Sequence, residues 1–197
     1  MTLRRLAVIV AAPLLAAGAI GAPPAAARSS TCESRHGDTV LQTRQARVFT
    51  RAGLDTAAVF ACLRSSRQRS IALGELHDFD GGGLSQFRLA GPYLGFRDIV
   101  CDRYTSDCRS WIRMVDLRSR ELLGRAFDVA DWVMRRSGAL AAIESADASQ
   151  GWEVRRYDGD RSEVLDAGSD IEPDSLAASG TRVYWMRGGV PRSAPLP

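Results

Sequence analysis

The 197-residue chain has no lysine, and all 26 of its basic residues are arginine. With so much alanine and glycine beside them, this fits the codon usage of a GC-rich genome, so arginine number alone is weak support for nucleic-acid binding. The 23 acidic residues are interspersed with the arginines. No basic block of the kind a phosphate backbone favours occurs, so no nucleic-acid partner is expected. Histidine is reduced to His36 and His77. The cysteines lack CxxC spacing and have no histidines clustered around them, which argues against a zinc or redox site. There is no G-x-S-x-G elbow, no dinucleotide fingerprint and no phosphate loop. The Gly81-Gly82-Gly83 run is followed by Leu-Ser-Gln rather than the Lys-Ser/Thr a phosphate cradle requires. Beyond residue 27, no stretch is apolar enough to cross a bilayer.

What is present begins with an export pattern. Arg4 and Arg5 precede an apolar run over residues 6–20, broken by Pro13 and Gly18. Ala25-Ala26-Ala27 then offers a small-residue cleavage site, so residues 1–27 are expected to be a signal peptide. The run falls short of the ~20 residues a spanning helix needs. Cleavage would leave 197 − 27 = 170 residues and a balance of 24 − 23 = +1. A polar tail over 28–38 and one β-repeat domain over 39–197 are expected to follow. The protein is expected to be secreted or on the exterior of the cell envelope, with no stable membrane span.

Four cysteines in an exported chain read as two disulfides with three possible pairings. Cys101 and Cys108 flank Asp-Arg-Tyr-Thr-Ser-Asp between two strand-like runs, which suits a bridge closing a hairpin. Cys32 and Cys62 would then staple the tail to the first repeat.

Strand-like segments recur along the rest of the chain. Thr39–Thr50, Ala57–Leu63 and Ser70–Leu73 form a first unit. Leu84–Leu89, Tyr93–Cys101, Ser110–Arg118 and Glu121–Phe127 form a second, the last being a strand or a short helix. Val129–Met134, Ala139–Glu144, Trp152–Tyr157 and the segment around Glu163–Leu165 form a third, with Asp158-Gly159 as its hairpin turn. Ser175–Ala178, Thr181–Met186 and Pro191–Leu196 form a fourth, one strand short. Anchored on Leu63, Leu117 and Tyr157, the units are spaced by 54 and 40 residues, and the next copy follows by about 38. Four short strands per unit at spacings near 40 indicate about three and a half four-stranded, blade-like antiparallel repeats, as in a partial or small β-propeller. An open half-ring, a small closed ring and a β-sandwich all remain consistent with that count. An open arc would expose sheet edges, which favour self-association.

The closing segment Gly-Thr-Arg-Val-Tyr-Trp-Met-Arg-Gly-Gly-Val-Pro-Arg-Ser-Ala-Pro-Leu, residues 180–196, runs strand, glycine turn, strand. In this and in its repeat architecture from Ala46 to Leu196, the chain resembles bacterial secreted β-propeller proteins, TolB-like and WD40-like. The P-x-W-S-P-D-G turn of the former and the G-H…W-D pair of the latter are absent, so the resemblance lies in architecture. It implies blades that bury both faces against their neighbours.

Candidate chemistry is sparse. Three carboxylates, Glu75, Asp78 and Asp80, with His77 among them, could bind a divalent ion such as calcium through oxygen ligands, in a loop ending at Gly83, although the closing glutamate of a calcium loop is missing. A solvated loop is the simpler reading, and no cofactor is otherwise expected. Asp128, Asp131, Glu144 and Glu153 could supply paired carboxylates for glycoside cleavage. Trp111, Trp132, Trp152 and Tyr157 could form an aromatic platform but fit blade core better. Arg113, Arg155 and Arg156 could line a groove for an acidic ligand. The expected function is a secreted, non-catalytic, propeller-like scaffold that binds a protein or glycan. The alternative is a secreted hydrolase or calcium-binding protein using the Glu75–Gly83 loop. Because the repeat supplies scaffold, function is expected in the unequal loops, chiefly 75–83 and 102–107.

Overall fold

The computed structural model describes residues 32, 36–53, 56–66, 69–76, 81–105, 107–146, 151–159 and 161–197. The expected leader and most of the polar tail lie outside these residues. No described helix is long and apolar enough to cross a membrane. The described chain forms four sheets. Sheet 1 contains β1 (Asp38–Gln42), β2 (Ala46–Ala52), β3 (Ala57–Leu63) and β4 (Ile71–Glu75). Sheet 2 contains β5 (Gly83–Ala90), β6 (Tyr93–Cys101), β7 (Cys108–Asp116) and β8 (Glu121–Phe127). Sheet 3 contains β9 (Val129–Met134), β10 (Leu140–Ser145), β11 (Trp152–Asp158) and β12 (Arg161–Gly168). Sheet 4 contains β13 (Ala177–Ser179), β14 (Arg182–Arg187) and β15 (Val190–Pro195). Each sheet is an antiparallel meander in chain order.

Three apolar layers hold successive sheets together. Ala46, Val48, Val59 and Ala61 of sheet 1 meet Leu84, Leu94, Phe96 and Val115 of sheet 2. Ile112, Met114 and Ala126 of sheet 2 meet Val129, Trp132, Leu140 and Ala142 of sheet 3. Ala141, Ile143 and Val154 of sheet 3 meet Val183, Trp185 and Leu196 in and beside sheet 4. Side chains alternate across a strand, so Leu140 and Ala142 face one neighbour while Ala141 and Ile143 face the other. That explains the uninterrupted Leu-Ala-Ala-Ile run. A strand buried on both faces has no solvent side on which to place polar residues.

Polar contacts fix how sheets 2 and 3 meet. Asp128, with φ 49°, makes the corner between β8 and β9. Its N–H donates to Ser110 O at 2.9 Å, and its carbonyl accepts from Ser145 N at 3.1 Å. Arg97 Nη2 donates to Val129 O at 2.7 Å. Gln86, left-handed at a β5 bulge, accepts from Trp132 Nε1 and from Arg97 Nε, each at 3.2 Å.

Two sequence expectations change and one open alternative is decided. Thr39–Thr50 is two strands, because the chain turns at residues 43–45. Thr43 Oγ1 accepts from Gln45 N at 3.2 Å and Ala46 N at 3.1 Å, and this local alternative breaks the ladder. Sheet 1 therefore has four strands rather than three. Glu121–Phe127 is a strand, since pairing with β7 over Trp111–Asp116 overrides its helix propensity. The third hairpin turns between Asp158 and Arg161, one residue later than expected, with Gly159 at φ 58°. The architecture is a propeller-like arc of four sheets, which a two-sheet sandwich does not fit. Among the described residues, β15 pairs only with β14, and no strand pairing joins sheet 4 to sheet 1.

The two ends of the arc differ. On sheet 1, Phe49 and Phe60 stack at 5.6 Å beside the Cys32–Cys62 disulfide. Arg47 and Arg51 lie over the Phe49 ring at 4.9 and 5.5 Å. On sheet 4, Arg182, Tyr184, Ser193 and Pro195 are exposed.

Candidate functional site

The residues proposed from sequence for metal binding are only partly described. Glu75 ends β4 and is exposed. His77, Asp78 and Asp80 lie outside the described residues. Among the described residues, no group of three or more His, Cys, Asp or Glu could hold a metal ion.

The four carboxylates considered for glycoside cleavage do not converge on a common site. Asp128 serves the corner between sheets 2 and 3. Asp131 accepts from Trp132 N at 2.7 Å and Leu176 N at 3.1 Å and lies 3.7 Å from Arg88. Glu144 and Glu153 face each other across β10 and β11. Arg155 lies between them, 2.7 Å from Glu153 and 3.7 Å from Glu144. The Tyr157 hydroxyl donates to Glu144 Oε1. Burial raises the Glu144 pKa above the ordinary carboxyl value, opposed by the Tyr157 hydrogen bond and the Arg155 charge. Burial, reinforced by the bond to Glu144, also raises Tyr157. This cluster joins two neighbouring strands of sheet 3.

The aromatic platform is not formed either. Trp132 is fully buried between sheets 2 and 3, with Tyr157 packed against the same layer. Trp152 packs toward sheet 4. Trp111 stands apart, 5.7 Å from the Phe127 ring. Nor do the three arginines line a groove. Arg113 pairs with Asp98, Arg155 with Glu153 and Arg156 with Glu163.

The hairpin joining β6 and β7 is different. Cys101 and Cys108 are the last register pair of these strands and are bonded to each other, with Cα atoms 4.0 Å apart. The loop above them is held by its own hydrogen bonds. Asp102 N donates to Asp107 O at 2.9 Å. Asp102 Oδ1 accepts from Tyr104 N at 2.8 Å and Thr105 N at 3.0 Å, and Thr105 Oγ1 accepts from Asp107 N at 3.2 Å. The backbone donors of Thr105 and Tyr104 hold the Asp102 carboxyl below its ordinary pKa, so the tie persists over a wide pH range.

The hairpin presents Tyr104, whose 88% exposure is the highest among the exposed large hydrophobic residues. Below it Val100 and Phe127 are also exposed, and Val100 and Trp111 help line a cleft of about 440 Å³ with Asp102, Thr105, Asp107 and Arg109. Exposed aromatics on a preorganised loop suit protein recognition, because little side-chain or backbone freedom remains to be lost on binding. The sequence marked this loop through its bracketing cysteines. It did not show that Val100, Trp111 and Phe127 would lie together at the hairpin end of sheet 2, since that follows from the register of three strands.

No family model and no curated protein matches the chain. Several solved structures are similar in fold. Pyrococcus horikoshii acylaminoacyl peptidase matches at 8% identity and TM-score 0.46, over 75% of this chain and 35% of that one. TolB from Acinetobacter baumannii matches at 15% identity and TM-score 0.34, over 74% and 38%. The β-propeller domain of the trilobed protease from Pyrococcus furiosus, which has an open velcro topology, matches at 10% and 0.28, over 80% and 69%. The chain thus spans about a third of the length of the peptidase. At these identities and scores, function has to be argued from the chain's own residues.

Proposed function

We propose that the protein is an exported, non-catalytic scaffold that binds a folded protein partner through the hairpin between β6 and β7. The observation that carries this reading is the disulfide-closed loop presenting an exposed Tyr104 at the end of the sheet where Val100, Trp111 and Phe127 lie. Export is supported by the leader pattern of residues 1–27 and by two disulfides, which persist in oxidising compartments. The stacked sheets supply a rigid base, and the bridge across Cys101 and Cys108 joins the loop to it.

The test is site-specific photo-crosslinking in the producing organism. A benzophenone side chain is placed at Tyr104 or Phe127, with Val164 on sheet 3 as an exposed control. The expected result is one discrete protein adduct from positions 104 and 127 and none from 164. The reading fails if no adduct forms, if the same adduct forms from 164, or if the captured material is carbohydrate. N-terminal sequencing of the exported protein tests the leader independently, with a start near Arg28 expected.

A further inference from the structure

The second feature lies at the opposite end of the sheets. β6 runs nine residues from Tyr93 to Cys101. At about 3.3 Å per residue, its first residue sits roughly 25 Å from Cys101 at the base of the hairpin loop. At that end the first turn of every sheet comes together: residues 43–45 of sheet 1, Gly91-Pro92 of sheet 2, 135–139 of sheet 3 and Gly180-Thr181 of sheet 4. Between the first three of these turns is a cleft of about 470 Å³ lined by Thr43, Arg44, Gln45, Leu89, Gly91 and Arg136. A second cleft of about 390 Å³ continues from it, sharing Leu89 and Arg136 and adding Arg135, Ser179 and Gly180.

The charge of these clefts is of one sign. Arginines 88, 113, 118, 155, 156 and 187 each pair with an Asp or Glu. The described lining of the two clefts contains three arginines and no carboxylate. Arg44 and Arg136 are exposed, and their side chains pair with no described residue. Arg135 Nε is shielded from water without a hydrogen-bond partner among the described residues, a state that calls for a physical explanation.

The remaining groups fit the same ligand. Thr43 Oγ1 already accepts two backbone N–H groups, so its own proton is free to be donated into the cleft. Gly91 stands at φ 65°, and a Cβ there would lie 3.4 Å from Gln45 Oε1 and 3.9 Å from Arg136 Cβ. A two-residue turn with positive φ at its first residue and proline at its second is type II′, which glycine at that first position suits. Any larger residue would narrow the cleft where three sheets meet.

We infer that these turns form a binding site for a phosphate group, held between the guanidinium forks of Arg44 and Arg136 with the Thr43 hydroxyl as a third donor. A phosphate dianion offers several acceptor oxygens, and planar guanidinium forks match it in pairs. The cleft volume is that of a small-molecule site. Opening at the ends of four sheets, it admits either free phosphate or a phosphate monoester on a larger molecule. This site is independent of the protein-binding hairpin.

Calorimetric titration of the intact exported protein with inorganic phosphate and with glycerol 3-phosphate, at fixed ionic strength, tests it. Saturable binding of at least one is expected, weakened at least tenfold in Arg136→Gln and in Arg44→Gln and partly restored in Arg136→Lys. Tighter binding of glycerol 3-phosphate assigns an esterified phosphate, and equal or tighter binding of inorganic phosphate assigns the free ion. Because both arginines are exposed and unpaired, denaturation midpoints should match the wild type. The inference is overturned if neither compound binds saturably, if citrate binds as tightly as both, or if the Arg44→Gln/Arg136→Gln variant binds unchanged.

Discussion

Replacing Gly95 by alanine would drive a methyl group into the Trp132 ring. A Cβ at Gly95 would lie 2.6 Å from Cζ3 and 2.8 Å from Cη2 of that ring, and 3.5 Å from Met134 Sδ. Trp132 cannot easily retreat. It is fully buried, its Nε1 is bonded to Gln86, and Arg88 lies 4.3 Å above its ring. Overpacking of this kind costs about 1–3 kcal/mol. Shortening the indole removes the clash, and alanine in a strand interior then gains about 0.5–1 kcal/mol over glycine. Gly95→Ala should therefore destabilise the wild type, yet be neutral or stabilising in a Trp132→Ala background. That background itself loses about 3–5 kcal/mol, so Trp132→Phe, which also lacks Cζ3 and Cη2, serves as a second one. The assay is guanidinium unfolding of the four proteins in each cycle, compared at constant m-value. A coupling energy of about 2–3 kcal/mol in favour of the double variant is expected. If Gly95→Ala costs under about 0.5 kcal/mol in the wild type, or the same in every background, sheets 2 and 3 do not pack through this contact.

Three further outcomes follow from particular residues. Opening the 30-residue Cys32–Cys62 span by double serine substitution should cost about 3–4 kcal/mol by loop entropy, against about 2.5 kcal/mol for the 7-residue Cys101–Cys108 span, read as shifts in urea midpoint; equal losses would contradict the loop-length account. Glu144 has a folded pKa raised above 4.5, chiefly by burial, so its contribution to stability falls as pH rises through the interval from 4.5 to that raised value. Glu144→Gln should therefore gain stability relative to wild type between pH 4 and pH 7, and a pH-independent difference in urea midpoint would refute the shift. At the left-handed corner, Asp128→Gly should be tolerated, while Asp128→Val should lose about 1–2 kcal/mol in thermal unfolding; equal effects would show that the corner is unstrained.

Much of the arc could be read from periodicity, because every sheet repeats the same local solution. Leu63, Leu117 and Tyr157 lie in or directly beside β3, β7 and β11, each the third strand of its sheet, and the segment aligned with them is β15. Residues 139–143 read as doubly buried because they are so, inserted between two apolar layers. Thr39–Thr50 departed from expectation where local chemistry competed with pattern. Thr43 has a side-chain oxygen that substitutes for ladder partners, which periodicity does not register. Periodicity left residues 121–127 open between strand and short helix, and pairing with β7, interrupted only at Leu123, decides for the strand.

Sites built by convergence leave a weaker trace. The first turns of the four sheets contain Thr43-Arg44-Gln45, Gly91-Pro92, Arg135-Arg136-Ser137-Gly138 and Gly180-Thr181, which share no motif. Nothing in their spacing marks Arg44 and Arg136, 92 positions apart, as lining one cleft. Their proximity follows from topology, since a meander always returns its first turn to the same end of the sheet and stacking aligns those ends. The sequence pointed to arginines on strands, residues 113, 155 and 156, but strand arginines have neighbouring strands from which carboxylates can neutralise them, and here they do. A turn arginine is neutralised only where its own turn supplies an acid, as Asp116 does for Arg118, and the turns of Arg44 and Arg136 supply none. None of the four first turns contains an Asp or Glu, so Arg44, Arg135 and Arg136 meet at an end of the arc whose turns carry no acid of their own.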